Sequence, residues 1–261
     1  MSLITKIPGV IFTDTSLPKL YRDAVITAGT QFVFDADDTY SFAKQATPTP
    51  GVDVWVDLSP KNATAAFGSA CPFDTDGFTT STVTNTGTGI HLPASGKFGP
   101  TPAGFIFTYW FKYLYANTIF YPAFAGLSDN TSLGTHQYSI DNGNNNGLIR
   151  LGVDSALYQF IGVPGTIYQL AVAAKKLGNG TYQLMTFKNG ELVFNSSPGR
   201  TVLGQSTSMA HPVIGASGGF SPAVNQKAYR CWYDDTSTLA DQAAITALVL
   251  KDYNANVGRF S

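Results

Sequence analysis

The stretch GTIYQLAVAAKKLGNGTYQLMTFKNGELVFN, from Gly165 to Asn195, decides the fold. It predicts three short strands joined by two tight turns. Alternate side chains from Ile167 to Ala174 are apolar, so one face of that strand can be buried. The dipeptide Asn189-Gly190 favours a type I′ hairpin turn, because both central residues of that turn need a positive φ. A meander of this kind needs a second apolar layer, which the rest of the chain has to provide.

The composition of the chain favours an all-β protein. Charged residues make up 13% of its 261 residues, against roughly 25% in an average soluble protein. The chain also has 26 glycines and 14 prolines, and 13% of its residues are aromatic. Many turn formers combined with many Tyr, Phe, Thr and Val residues are typical of short strands joined by turns.

Charge and hydropathy argue against two classes of partner. The formal net charge is −1 and no run of Lys or Arg occurs, so no surface is expected to neutralise the phosphates of a nucleic acid. No uninterrupted apolar stretch approaches the length of about 20 residues that a bilayer requires, which predicts no membrane insertion. The first residues, MSLITK, lack the apolar region of a secretory signal, so we expect synthesis and folding in a cytoplasm.

Two further runs are predicted to be strands. The alternation from Val52 to Leu58 predicts a strand whose four even-numbered residues face inward. The run from Ile106 to Tyr115, IFTYWFKYLY, has apolar residues on both faces and suits a central strand covered on both sides. The tryptophans lie on predicted strands and are expected in the core rather than on a binding surface. They are Trp55, Trp110 and Trp232.

One helix is predicted near the end of the sequence. Residues Ala240 to Tyr253 are rich in Ala and Leu, and Thr236 or Ser237 can cap the first turn. The many short strands with turn signals between them predict two antiparallel sheets packed face to face. The predicted fold is therefore an all-β, two-sheet antiparallel sandwich with a short C-terminal helix.

Residues 1 to 51 differ from the rest of the chain and are predicted to be an N-terminal assembly or anchoring segment, ahead of a sandwich domain at residues 52 to 261. Proline and glycine breaks interrupt this segment, and Gln31 to Phe34 and Thr39 to Phe42 are its short strand candidates. Apolar residues with little room for a core of their own are expected to dock on something. The docking surface can be the main domain, a sister subunit or a larger assembly.

Cysteine and histidine patterns do not indicate a metal centre. Cys71 and Cys231 are far apart in sequence and lack the spacing of metal ligands. In a reducing compartment, two buried free thiols are favoured over a disulfide. His91, His136 and His211 are isolated in the sequence, and each is expected to be structural or solvent-facing.

Five motifs follow one another in a recognisable order. They are Phe107–Lys112 (FTYWFK), Gly165–Val172 (GTIYQLAV), Tyr182–Val193 (YQLMTFKNGELV), Val213–Ala216 (VIGA) and the strand-to-helix run Tyr229–Leu248. This order resembles that of laminin-G-like, concanavalin-A-like lectin domains. The sequence departs from the family pattern at Ile167-Tyr168, where the family has Trp-His, and in the hairpin turn, which lacks an Asp.

The resemblance covers roughly residues 52 to 253 and implies a jelly-roll sandwich of the concanavalin A type. With the missing signal and the strand-containing N-terminal segment, the chain also resembles a bacteriophage virion protein of the tail or capsid surface. That likeness implies a virion location after synthesis in the host cytoplasm. It further implies contacts with other virion proteins through residues 1 to 50, and a homo-oligomer.

The carboxylates of the glycosidases that share this fold are not evident. The laminarinase-type pattern Glu-x-Asp-x-x-Glu is missing, and the single glutamate, Glu191, lies in a predicted hairpin turn. Three acidic pairs remain, and they are Asp37/Asp38, Asp74/Asp76 and Asp234/Asp235. Each is expected to serve turn formation, and Asp234 and Asp235, as neighbours on a strand, are not expected to converge. The chain is therefore predicted not to be an enzyme.

The loop from Asp141 to Gly147 is a candidate calcium site, because laminin-G-like modules often bind calcium through loop oxygens. An EF-hand loop requires Gly at its sixth position and Glu at its twelfth position. Those positions hold Asn146 and Gly152. A looser calcium site using Asp141, Asp129 and carbonyl oxygens stays open beside a plain wide turn, and no other cofactor is predicted.

The same region predicts a ligand-binding surface. Side-chain amides offer donors and acceptors that suit sugar hydroxyls, and the edge loops of such sandwiches usually carry the ligand site. The predicted ligand-binding residues are Asp129, Asn130, His136, Asn142, Asn144 and Asn145. The alternative for each is that it only satisfies the backbone conformation of a turn.

Three functions follow, in order of preference. The first is a non-enzymatic phage virion protein whose lectin-like module attaches to a glycan or protein of the host surface. The second is a structural capsid decoration or tail-assembly subunit without a ligand. The third is a glycoside hydrolase.

Overall fold

The computed structural model describes residues 23–80, 89–115, 123–128, 136–142, 147–153, 155–205, 209–215 and 225–261. These residues form sixteen β-strands and one α-helix. The elements are β1 (Thr30–Asp35), β2 (Val54–Val56), β3 (Thr64–Phe67), β4 (Phe73–Asp74), β5 (Gly77–Thr79), β6 (Ile90–His91), β7 (Gly104–Tyr115), β8 (Ala123–Ser128), β9 (His136–Asn142), β10 (Leu148–Val153), β11 (Ser155–Ile161), β12 (Ile167–Lys176), β13 (Tyr182–Lys188), β14 (Glu191–Asn195), β15 (Val213–Ile214), β16 (Asn225–Asp234) and α1 (Gln242–Asn256).

In the described residues the strands form two eight-stranded sheets. Sheet A has the order β14-β13-β12-β7-β16-β5-β4, and β1 also pairs with β16. Sheet B has the order β11-β10-β9-β8-β15-β6-β3-β2. Neighbouring strands pair antiparallel, and apolar side chains from both sheets form one core between them. This confirms the predicted all-β, two-sheet antiparallel jelly-roll sandwich.

The meander predicted from Gly165 to Asn195 forms. β12 pairs with β13 and β13 pairs with β14. At the second turn Asn189 has φ 52° and Gly190 has φ 80°, which are the two positive values that a type I′ turn needs. Gly180, in the first turn, has φ 82°.

β7 is the central strand of sheet A, between β12 and β16, and it is covered on both faces as its aromatic sequence predicts. Phe107 and Phe111 point into the core between the sheets. Ile106 and Trp110 lie on the opposite face, in the apolar clusters at the outer side of the sheet. All three tryptophans are buried, which confirms their assignment to the core.

The helix α1 covers the outer face of sheet A. Its residues Ile245, Leu248 and Val249 cluster with Ala171 and Ala173 of β12. β12 is therefore buried on both faces, although its sequence pattern predicted burial of one. The second face consists of small residues, and only a helix packed across it makes it part of a core.

The predicted helix cap is wrong. Asp241 caps α1, since its side chain accepts a hydrogen bond from the Ala244 amide at 2.9 Å. The backbone amides of Thr236 and Ser237 donate instead to the carboxylates of Asp234 and Asp235, at 2.7 and 2.9 Å. These bonds form a turn at the end of β16, and the helix begins only after it.

The predicted facing of β2 is also wrong. Trp55 is fully buried, whereas Val52 and Val54 are 73% and 42% exposed. Of the four residues predicted to face inward, only Leu58 is buried. A shift of one residue reverses the two faces of a strand, and here burial of the large indole outweighs burial of two valines on an edge strand.

The segment predicted to be an anchor contributes to the sandwich. β1 pairs with β16 from Thr30 to Asp35, and Phe32, Phe34 and Phe42 are buried in the core between the sheets. The predicted strand at Thr39 to Phe42 is a turn. Phe32, Phe34 and Phe42, in the described part of this segment, dock on the main domain itself. The assembly role of residues 1–51 stays a prediction.

A buried ionic cluster connects sheet A to the helix. Arg230 is fully buried and binds three carboxylates: Asp23 at 2.7 Å, Asp35 at 3.0 Å and Asp252 of α1 at 3.0 Å. Burial opposes the charge of Arg230, but the three carboxylates outweigh it and hold the Arg230 pKa well above its ordinary value. Burial outweighs the arginines at Asp35 and raises the pKa of that carboxyl.

Cys71 and Cys231 are both free and buried, as predicted. Burial raises the pKa of the Cys71 thiol to about 11, against a smaller opposite effect of the Ser69 hydroxyl. Burial also raises the pKa of Cys231 well above its ordinary value. Both thiols are therefore neutral at physiological pH, and a neutral thiol is a poor nucleophile.

We expect the native protein to resist thiol reagents. At mildly alkaline pH, Ellman's reagent should label neither cysteine on the timescale of minutes, because both side chains are buried and protonated. The same protein in denaturant should release two equivalents of the chromophore. Rapid labelling without denaturant would contradict the burial of the labelled cysteine.

None of the helices in the described part of the chain has the length and apolar character that crossing a membrane requires.

Candidate functional site

A cleft of about 360 Å³ opens at one end of the sandwich. Three chain segments meet there: the start of β1, the loop from β6 to β7, and the end of β16. Its lining combines polar groups, aromatic rings and glycine backbone. The lining residues are Gln31, Ser95, Lys97, Phe98, Gly99, Pro102, Ala103, Gly104, Tyr233, Asp235 and Ser237.

Gly104 allows the close approach of backbone that shapes the cleft at the start of β7. Its φ is +149°, and a Cβ there would lie 2.3 Å from the Ala174 carbonyl oxygen and 2.4 Å from the Thr236 hydroxyl. A side chain at this position would therefore force β7 away from the ends of β12 and β16. Only glycine fits, for both conformational and steric reasons.

Asp235 and Gln31 form a polar pair in the cleft. The Gln31 Nε2 donates to Asp235 Oδ2 at 2.9 Å and to the Gly29 carbonyl at 3.1 Å. Asp235 Oδ1 accepts from the Ser237 amide at 2.9 Å. Both side chains are half-buried, so they are fixed by these bonds while part of each still faces solvent.

Asp234 lies behind this pair and is fully buried. Its Oδ2 accepts from the hydroxyls of Thr27 and Thr30, at 2.5 and 3.0 Å. Burial raises the pKa of Asp234, although hydrogen bonds from Thr27, the Thr236 amide and Thr30 act in the opposite direction. The carboxyl group is thus enclosed by protein donors.

The expectation that Asp234 and Asp235 would not converge is wrong. Their Oδ1 atoms lie 2.9 and 2.7 Å from the position that a Cβ on Gly29 would occupy, so the two oxygens are within about 6 Å of each other. Strand alternation ends at Asp234, the last residue of β16. Each carboxylate then folds back onto a backbone amide two residues ahead, which brings both to the same side of the turn.

The rest of the lining contributes one cation and two rings. The Lys97 Nζ donates to the Met209 carbonyl at 2.7 Å. Phe98 stacks on Phe105 with ring centroids 4.5 Å apart. Burial, helped by the charges of Asp235 and Asp234, raises the pKa of Tyr233 well above its ordinary value, so this phenol stays protonated.

We expect Gly29→Ala to destabilise the fold by about 1–3 kcal/mol, the usual cost of forcing extra atoms into a packed site. The new Cβ would lie within 3 Å of carboxylate oxygens of both Asp234 and Asp235. The measurement is the free energy of unfolding in urea. Gly99→Ala is the matched control, because it lines the same cleft and nothing lies within 4 Å of its added Cβ. Equal stabilities of the two variants would contradict the crowding at Gly29.

Four of the six predicted ligand-binding residues, Asp129, Asn130, Asn144 and Asn145, lie outside the described residues. For the other two the structure gives the backbone only: His136 begins β9 and Asn142 ends it. A strand of this length separates the backbone of its two ends by about 20 Å.

The His136 end of β9 is the one beside the cleft. The neighbouring Gln137 donates from Nε2 to the carbonyl of Phe98, a cleft residue, at 2.9 Å. The prediction for all six side chains remains untested.

Two of the three histidines are not isolated. The rings of His91 and His211 stack with centroids 4.7 Å apart. β6 contains His91, and it pairs with β15, whose first residue follows His211 by two positions. Sequence reasoning missed this contact because 119 residues separate His91 from His211, and only the pairing of β6 with β15 brings the two rings together.

Asp141, the described member of the looser calcium site, has a protein partner. Its Oδ1 accepts from Arg150 Nε at 2.7 Å, and its Oδ2 accepts from the Ser139 hydroxyl at 3.0 Å. Within the described ranges no group of three or more His, Cys, Asp or Glu side chains could hold a metal ion. Asp129 lies outside those ranges, so calcium binding stays an open prediction.

The remaining acidic residues stabilise turns and ion pairs. Asp38 accepts hydrogen bonds from the amides of Tyr40 and Ser41, at 2.8 and 3.1 Å. Asp76 pairs with Lys227 at 2.7 Å. Glu191, predicted to lie in the hairpin turn, is the exposed first residue of β14, directly after that turn. The contacts of Asp38 agree with the turn chemistry expected from the sequence, whereas Asp76 binds a residue that is distant in the chain.

The cleft residues are functional candidates that the sequence did not single out as a site. In the sequence, Asp235 stands out only as part of an acidic pair. Gln31 and Lys97 do not belong to a recognisable functional motif. The one local signal was the Gly-Lys-Phe-Gly-Pro run at Gly96 to Pro100, whose breaks indicate an irregular loop between strands.

No protein-family model matches the chain, and no curated protein matches its sequence. Solved structures match its fold. Trypanosoma rangeli sialidase in complex with sialic acid has a TM-score of 0.55 and 12% identity, over 88% of this chain and 34% of that chain. The same enzyme in complex with 2,3-difluoro-KDN gives 0.57 and 12%, over 87% and 33%. The HCR/D F1240A mutant gives 0.55 and 12%, over 88% and 52%.

The chain spans about a third of the sialidase chains and about half of HCR/D. At 12% identity, a likeness of this kind concerns the arrangement of strands and not the chemistry of a site. The comparison therefore shows that the chain shares its β-sandwich fold with part of each of these structures.

Proposed function

We propose that the chain is a non-enzymatic, lectin-like module of a phage virion protein, and that it attaches the virion to a glycan of the host surface through the cleft at the start of β7. The observation that carries this proposal is the fixed Gln31–Asp235 pair in a cleft that also holds serine hydroxyls and aromatic rings. The lectin-like sandwich and the sequence resemblance support it.

The chemistry of the cleft suits a sugar. Sugars present hydroxyl groups that both donate and accept hydrogen bonds, together with apolar C–H faces. Asp235 supplies acceptors, while Ser95 and Ser237 supply hydroxyls of both kinds. Phe98 adds apolar surface. A volume of about 360 Å³ lies at the lower end of the range for small-molecule sites, which fits one or two sugar rings.

The arrangement of carboxylates supports binding without hydrolysis. Most glycosidases need two carboxyl groups that both reach the scissile bond. Asp235 lines the cleft, but Asp234 is fully buried and enclosed by Thr27, Thr30 and the Thr236 amide. Of this pair, one carboxylate can contact a ligand. A glycoside hydrolase is for this reason the less favoured alternative.

The virion setting rests on the sequence resemblance and on the N-terminal segment, part of which also belongs to the sandwich. In this proposal residues 1–50 contact other virion proteins, and the protein acts as a homo-oligomer after synthesis in the host cytoplasm. A capsid decoration or tail-assembly subunit without a ligand is the alternative. The number of copies per particle separates the two: few copies at a tail tip fit attachment, and hundreds on the head fit decoration.

A glycan array with the full chain tests binding. We expect retention of a defined subset of glycans, and loss of that binding in Gln31→Leu, which removes the amide that holds Asp235. Gln159→Leu is the matched control, because Gln159 is exposed on edge strand β11 and lies away from the cleft. It pairs with Arg150, which pairs with Asp141 at the end of β9 opposite His136. Failure to bind any glycan or host envelope would reject the proposal. Release of a shortened glycan, seen by mass spectrometry, would reject its non-enzymatic part.

A further inference from the structure

The hydrogen bonds of Asp235 leave part of its carboxylate available to a ligand. Each carboxylate oxygen can accept about two hydrogen bonds. Oδ1 receives one from the Ser237 amide and Oδ2 receives one from Gln31 Nε2. One acceptor position therefore remains on each oxygen, side by side on a group that the two bonds hold in place.

We infer that the cleft selects a neutral sugar by binding two adjacent hydroxyls to Asp235, and that it discriminates against sugars that carry a carboxylate. This inference rests on the glycan-binding function proposed above. Hydroxyls on neighbouring ring carbons are separated by about the spacing that two acceptors of one carboxylate can receive together. Both hydroxyls donate to Asp235, in charge-assisted bonds that are stronger than neutral ones.

Gln31 adds a third acceptor to this side of the cleft. Both protons of its Nε2 are used, one toward Gly29 and one toward Asp235. Its Oε1 receives no hydrogen bond from the described residues. The Gln31–Asp235 side thus offers acceptors to a ligand, and a ligand that offers donors satisfies them.

A carboxylate on the ligand would be unfavourable beside Asp235. It has no proton to donate at neutral pH, and it would approach Asp235 with the same charge, with the Asp234 carboxyl within about 6 Å behind. Like charges at such distances repel strongly where water is partly excluded. An acidic sugar would therefore bind with its donors unmatched and its charge opposed.

The two nearby lysines are already bound to backbone carbonyls. Lys97 Nζ donates to the Met209 carbonyl at 2.7 Å. Lys175 is buried and its Nζ donates to the carbonyls of Thr236 and Leu239, at 3.0 and 2.7 Å. No salt bridge within the described residues joins either lysine to Asp234 or Asp235. The Asp235 carboxylate therefore keeps its charge and its acceptors toward a ligand.

Glycan pairs that differ only in a terminal sialic acid test the inference. The full chain is first screened on an array, and the neutral glycan that binds is then compared with its sialylated partner by titration calorimetry. We expect the sialylated form to bind at least tenfold more weakly. A deoxy analogue of the neutral glycan that lacks one of two adjacent hydroxyls should lose a similar factor.

Asp235→Asn assigns this selectivity to the carboxylate. It should weaken binding of the neutral glycan at least tenfold and narrow the difference between the neutral and the sialylated form. Asp74→Asn makes the same chemical change at an exposed residue at the turn between β4 and β5. β5 pairs with the start of β16, whereas Asp235 follows the end of that strand. It should bind as the wild type does. The thermal midpoints of both variants report whether each has folded.

The possible failures are distinguishable. Preference for the sialylated glycan, with loss of that preference in Lys97→Met, would overturn the selectivity while glycan binding stands. Wild-type affinity in folded Asp235→Asn would also overturn it. Binding of neither class of glycan would reject the proposed function, and the inference with it.

Discussion

We expect residues 52–261 expressed without the preceding segment not to fold, because removal of residues 1–51 takes a strand and three aromatic side chains out of the sandwich. Without β1, the edge of β16 would be unpaired from Arg230 to Asp234. The loss of Phe34 would expose Trp55, since the two rings lie 5.3 Å apart. The loss of Phe42 would expose Phe78, whose ring lies 4.8 Å from it. We expect this to be the largest effect of any change considered for this protein.

The measurement is the far-ultraviolet circular dichroism and the amide proton dispersion of the truncated chain. The full chain should give a β-sheet spectrum and a cooperative thermal transition, and residues 52–261 alone should give neither. Co-expression with a separate chain of residues 1–51 is the control, since it restores β1 without the covalent connection. Cooperative folding of residues 52–261 alone would instead support the division into an anchor and an independent domain.

Replacement of Arg230 by Met is the second large effect that we expect. The guanidinium is fully buried among Asp23, Asp35 and Asp252, and Met has a similar length but no charge. Removal of one partner from a buried ionic group leaves the others uncompensated, which costs about 3–5 kcal/mol. Asp252 would keep its bonds from Trp110 and Gln169, whereas Asp23 and Asp35 would lose their most buried partner.

The free energy of unfolding in urea measures this loss at neutral pH. Arg259→Met is the matched control, because Arg259 also binds Asp35, at 2.6 Å, but has a side chain that is 32% exposed. Loss of a cation that partly faces solvent costs less than loss of a fully buried one, so the control should be clearly more stable than Arg230→Met although Asp35 itself is buried. Equal stabilities would mean that Arg230 contributes no more than an exposed arginine does.

Much of the fold can be predicted from local sequence because its causes are local. Asn189-Gly190 forms a type I′ turn since the backbone of that turn requires positive φ at two successive residues. The strand from Ile106 to Tyr115 is central because apolar residues on both faces have no other stable position. Both features depend on a few neighbouring residues and on no distant partner.

The sequence-based predictions were wrong or incomplete where a residue distant in the chain determines which side chains are buried. Trp55 faces inward against Phe34 and Phe78 because those rings surround it, which the alternation of valines could not reveal. Ala171 and Ala173 are buried because α1 packs on them. The anchor segment joins the sheet because β16 has a free edge for β1.

The candidate site belongs to the second category. The amino-acid sequence by itself determined that this chain is an antiparallel sandwich of short strands, since turn conformation and side-chain alternation are properties of adjacent residues. Only the tertiary structure decided that Gln31, Lys97 and Asp235 line one cleft, because the pairing of β1 with β16 and of β16 with β7 brings together segments that are far apart along the chain. Such pairings depend on how much apolar surface the whole molecule buries, and no single stretch of sequence is enough to predict them.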